Sequence, residues 1–93
     1  MEISQDAEKK YAIINAIFCK KPSLDDLHGL TGIPKITLKR QIALLRNDYK
    51  MDIQFVRNTG VRGKTGYYLI VDWGIINKAR FLANFSGVVF NRN

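Results

Sequence analysis

Ninety-three residues suffice for one domain, expected over residues 1–93, and 46% hydrophobic with 25% charged residues is the balance of a folded chain rather than a disordered one. No apolar run approaches the roughly 18 residues that cross a bilayer, and the chain opens on Glu2, Asp6 and Glu8 rather than on a basic and then apolar leader. A formal net charge of +7 points to a polyanionic partner, nucleic acid before anionic lipid.

Ser4, followed by Asp6 and Glu8, reads as the N-cap of a first helix. Ala7, Tyr11, Ile14 and Phe18 recur at helical spacing, and Ile13 and Ile17 widen their stripe. Lys20-Lys21-Pro22 ends this helix, since a residue before proline leaves the helical region. The lone Cys19 allows no internal disulfide and no Cys-x-x-Cys zinc site, and it fits a reducing, cytoplasmic setting. Ser23-Leu24-Asp25-Asp26 opens a short second helix in capping-box style, with aspartate at the fourth place. It runs to about Leu30. Thr31-Gly32-Ile33-Pro34 is a tight turn, with Gly32 in the left-handed conformation and Pro34 at the start of a third helix. The third helix is expected to reach Asp48, with Leu38, Ile42, Leu45 and Tyr49 along one side.

After Met51 the apolar period changes from 3.6 to 2. Residues 52–57 and 67–71 read as two strands, joined by the glycine-rich, basic stretch 58–66 as a hairpin. A last amphipathic helix is expected from Ile75 to Phe85, with Gly87 ending it and Val88-Val89-Phe90 as an apolar tail. The architecture is therefore α+β and mainly α: a three-helix core, a two-stranded hairpin and a C-terminal helix.

Charge is unevenly spread along this plan. Residues 1–30 carry a net −1, residues 31–64 a net +6 and residues 65–93 a net +2. On a wheel of 100° per residue, Ile36, Arg40, Ala43 and Asn47 lie opposite the Leu38–Ile42–Leu45 seam, flanked by Lys39 and Thr37. Such a face suits a major groove, where arginine pairs with guanine and an aliphatic group meets a thymine methyl. The N-terminal half of a reading helix makes most base contacts, which nominates Lys35, Ile36, Thr37, Lys39 and Arg40. Arg57, Arg62 and Lys64 on the hairpin, with glycines at 60, 63 and 66, are nominated for phosphate or minor-groove contact.

Leu27, Gly32, Ile33, Thr37, Leu38, Arg40 and Ile42 stand in the register of a bacterial helix-turn-helix, and with the hairpin the chain resembles small, stand-alone winged helix-turn-helix regulators. The departure is His28, where that family usually places an alanine between the helices. The resemblance implies a sequence-specific binder of double-stranded DNA that acts in transcription, near the nucleoid, without cofactor or small-molecule substrate. The alternative is a winged-helix module for protein assembly without sequence-specific DNA binding.

Other chemistries find no support. Gly63-Lys64-Thr65 matches the end of a phosphate-binding P-loop, but Asn58 stands where its first glycine belongs and a strand follows instead of a helix. The single histidine and the single cysteine fall on different helices, and His28 is expected as a surface partner of Asp25 rather than a general base. No catalytic or metal site is therefore expected. The broad apolar stripe of the first helix and the aromatics of the last nominate Tyr11, Ile14, Phe18, Phe81 and Phe85 as a homodimer surface.

Overall fold

Ser4 begins α1 (Gln5–Lys20) as expected: its hydroxyl accepts the Ala7 N–H at 3.1 Å, and Asp6 and Glu8 occupy the positive end of the helix dipole. The helix stops at Lys21, which takes the left-handed conformation (φ 47°) ahead of Pro22 and donates its N–H to the Ile17 carbonyl. α2 (Leu24–Thr31) opens with a reciprocal capping box: Ser23 Oγ accepts the Asp26 N–H, and the Asp26 carboxylate accepts the Ser23 N–H. Gly32 ends α2 at φ 74°, and α3 (Lys35–Asn47) follows, with Pro34 one position earlier than expected, as N-cap. The computed structural model describes residues 4–57 and 66–85. The hairpin tip, with Arg62 and Lys64, and the tail Val88–Phe90 lie outside them.

β1 (Asp52–Arg57) and β2 (Gly66–Asp72) form one antiparallel pair, in which Phe55 faces Tyr68 and Arg57 faces Gly66. The register shifts between Asp52 and Ile53, so that Val71 has no partner across the ladder, the mark of a β-bulge. β1 lies along α3 and β2 along α1. The Tyr68 N–H donates to the Pro22 carbonyl at 2.8 Å, which ties the hairpin to the segment between α1 and α2.

The last helix, α4 (Lys78–Phe85), begins three residues later than expected. Gly74 turns the chain at φ 62°, the Ile75 N–H bonds to the Tyr49 carbonyl, and Asn77 Oδ1 accepts the Arg80 N–H. Asn77, not the apolar Ile75-Ile76, thus supplies the cap that starts the helix.

Every element except β2 contributes to the fully enclosed core: Ile13, Ile14 and Ile17 from α1, Leu27, Ile33, Leu38, Ile42 and Leu45 from the helix pair and its turn, then Met51, Ile53 and Phe81. The Leu38–Ile42–Leu45 seam is buried as the helical wheel requires. Each of these aliphatic side chains contributes about 2 kcal/mol of burial. Polar groups also join α1 to α3. The buried Lys10 ammonium pairs with Asp6, whose other oxygen accepts Gln41 Nε2 at 2.8 Å. The lysine, and after it the glutamine amide, hold the Asp6 carboxyl below the usual carboxylate range.

Candidate nucleic-acid interface

The turn between α2 and α3 is wired on both sides. Thr31 Oγ1 donates to the Leu27 carbonyl at 2.7 Å and accepts the Ile33 N–H at 3.1 Å. His28 Nδ1 donates to the Ile33 carbonyl at 2.8 Å, and the Gly32 N–H bonds to the His28 carbonyl. His28 is exposed, so its ring caps the turn from outside and does not lie between the helices where an alanine would pack. This is how the helix pair accommodates a large residue at that position. His28, expected beside Asp25 as a surface pair, bonds to the Ile33 carbonyl, and the carboxylate of Asp25 forms an ion pair with Lys35.

With the turn fixed, the orientation of α3 follows. Its seam is buried, and Ile36, Lys39, Arg40, Ala43 and Asn47 are exposed, Ile36 at 79% of its full surface. An aliphatic side chain this open at the start of a helix buries little surface in the fold. Thr37 is half-buried at the edge of the face. The first turn of α3 carries no acidic residue and no side-chain cap, in contrast to α1 and α2. Of the cations nominated on this helix, Lys35 is held by Asp25, while Lys39 and Arg40 have no acidic partner among the described residues.

A further cation was not singled out by sequence reasoning. Arg46, in the last turn of α3, donates Nε to the Ile53 carbonyl at 2.8 Å and otherwise stands open to solvent. The available signal was its place seven residues beyond Lys39, two turns along the same flank. Arg57, the described member of the hairpin cations, is exposed at the end of β1.

The aromatic residues nominated for dimerisation divide. Ile14 and Phe81 are 0% and 3% exposed, so they belong to the core and offer nothing to a second chain. Phe81 packs against Tyr11, Trp73 and Phe85 with ring centroids 5.5–5.7 Å apart. Tyr11 of α1 is thus covered by Phe81 and Phe85 of α4 in the same chain, while the rest of the stripe packs against α2, α3 and β2. Tyr11 and Phe85 stack at 4.5 Å and stay half-buried, while Phe18 is partly exposed against Trp73 with the Lys78 ammonium over its ring. Asn15 Nδ2 donates to the Phe85 carbonyl at 2.7 Å and anchors the end of α4.

Among the described residues no group of histidine, cysteine or carboxylate side chains is arranged to hold a metal ion, and no helix is long and apolar enough to cross a membrane. A short helix, a tight turn, a helix with an open cationic face and an adjacent antiparallel hairpin together define a winged helix-turn-helix domain, a class that binds DNA. The chain belongs to that family: a model described as a winged helix-turn helix matches residues 7–89. The chain is also similar to the crystal structure of a DUF2131 family protein from Shewanella amazonensis SB2B, at 27% identity and a TM-score of 0.75, over 92% of this chain and 90% of that one. A search of curated proteins returns no match.

Proposed function

We propose that the protein is a sequence-specific, non-catalytic binder of double-stranded DNA acting in transcriptional regulation as one domain of residues 1–93. The observation that carries this reading is the open face of α3: Ile36, Lys39 and Arg40 are exposed, clear of acidic partners among the described residues, and held at a fixed angle by the wired turn. In this reading α3 enters the major groove, Arg40 reads a guanine edge and Ile36 meets a thymine methyl. Lys35, Thr37 and Lys39 contribute at its borders. The hairpin is the wing, and Arg57, Arg62 and Lys64 neutralise phosphates beside it. Two copies on paired half-sites are expected to raise specificity, with Tyr11, Phe18 and Phe85 as the remaining candidates for their contact. Such a protein works in the cytoplasm, at the nucleoid.

The test begins with in vitro selection of binding sites from genomic fragments, followed by fluorescence anisotropy on the selected duplex and a scrambled one. Binding is expected to weaken steeply with salt, at about 0.9 log units per phosphate contact. Arg40→Ala is expected to lose roughly 1–3 kcal/mol on the selected duplex and much less on the scrambled one. Equal losses on both would remove Arg40 as a reader of sequence. A flat salt response would favour the protein-assembly alternative.

A further inference from the structure

We propose that Arg46 is a pre-oriented phosphate clamp at the junction of α3 and the wing, an assignment that rests on the DNA-binding reading above. The guanidinium is planar, so the bond from Nε to the Ile53 carbonyl fixes the direction of the whole group. The carbonyl itself is firmly placed, because the Ile53 side chain is in the core and its strand is paired with β2. Five N–H donors make up the guanidinium; one is spent on Ile53, and the four on the two terminal nitrogens remain for a bidentate contact. No carboxylate pairs with Arg46 among the described residues.

Position on the helix indicates which part of the duplex it meets. Arg46 and Lys39 lie about 20° apart around α3 and about 10 Å apart along it. Lys35 occupies the same flank one turn earlier. That flank faces the wing side of the molecule, because Lys35 reaches Asp25 at the start of α2 and Arg46 reaches β1. It lies roughly 100° from the centre of the open face that carries Ile36, Arg40 and Asn47. A side chain so placed is turned away from base edges. It meets the sugar-phosphate strand that passes between a helix seated in the major groove and a hairpin beside it. Lys39 meets a neighbouring phosphate of the same strand as a mobile point charge, whereas Arg46 is held in advance and loses little rotational freedom on binding.

The experiment compares wild type, Arg46→Gln, Arg46→Lys and, as a control on the exposed end of α1, Lys20→Gln. Each is titrated by anisotropy against a labelled duplex of arbitrary sequence over a series of salt concentrations. Arg46→Gln is expected to shallow the log–log salt slope by about 0.9, one phosphate contact, while Lys20→Gln leaves it unchanged. Arg46→Lys keeps the charge but has no Nε to orient it, so the slope is expected to hold while affinity falls several-fold at every salt concentration. A purely structural role would lower the folded fraction, reducing affinity by a common factor without altering the slope. A wild-type slope in the glutamine variant overturns the proposal. Should that variant not fold, wild-type affinity in Arg46→Lys overturns it instead. A flat wild-type response sinks the DNA reading itself, which is a separate outcome.

Discussion

Phe81→Ala separates a core residue from an interface residue. The side chain is 3% exposed and touches the rings of Tyr11, Trp73 and Phe85, so truncation leaves a cavity among three rings that α1, α4 and the segment between β2 and α4 hold in place. Removal of a buried phenylalanine costs about 3–5 kcal/mol, and the loss of three ring contacts places this site toward the upper end. A chain of this length has a total stability on the order of 5–14 kcal/mol, so between about a fifth and all of it is at stake. At roughly 4–8 °C per kcal/mol, the melting temperature should fall by at least about 12 °C. The assay is thermal unfolding by circular dichroism at several protein concentrations, with urea unfolding as a check. The reasoning requires a loss independent of protein concentration, because every partner of Phe81 lies in the same chain. A loss below about 1 kcal/mol, or one that grows on dilution, would return Phe81 to a subunit interface and refute the placement of α4.

Gly74→Ala is expected to cost about 2 kcal/mol or more, since an added Cβ at φ 62° overlaps the Tyr49 carbonyl oxygen and presses on Lys50; a urea midpoint equal to wild type would contradict this. The depressed pKa of Asp6 means that its pairing stabilises the fold above the ordinary aspartate value near 4 and that this contribution disappears as pH falls through the folded-state value. Asp6→Asn should therefore be less stable than wild type at neutral pH, by under about 1 kcal/mol because the carboxylate is mostly exposed, and should converge on wild type in acid. A gap of constant size across that range would show that the carboxylate charge is not what Lys10 and Gln41 recognise.

What was legible in the chain is what short-range chemistry dictates. Ser23 and Asp26 satisfy each other's backbone within four residues, Gly32 alone fits the turn, and the spacing of Leu38, Ile42 and Leu45 assigns opposite roles to the two sides of one helix. The face of Ile36 and Arg40 was legible for the same reason. Contacts between distant segments were not. A stripe containing Tyr11, Ile14 and Phe18 announces that something covers it, but spacing cannot distinguish a second chain from Phe81, seventy residues beyond Tyr11. The start of α4 was misplaced because Ile75 and Ile76 look helical, while the decisive bond runs from Ile75 back to Tyr49. Arg46 was countable as charge, but its acceptor is a strand carbonyl, to which side-chain patterns give no clue.

The single bond from the Tyr68 amide to the Pro22 carbonyl bears on how the molecule opens and closes in solution. A two-stranded hairpin by itself frays easily, and its amides would exchange with solvent almost as fast as those of a free peptide. Tyr68, however, donates to a segment held between two helices, one ended by Lys21 and the next begun by the Ser23 capping box. Its proton is released only when that segment moves as well. The Tyr68 amide should therefore exchange with deuterium at the slow rate of the α1–α2 core, far behind exposed amides such as that of Arg57 at the end of β1, so that the base of the wing and the helices behind it open as one cooperative unit.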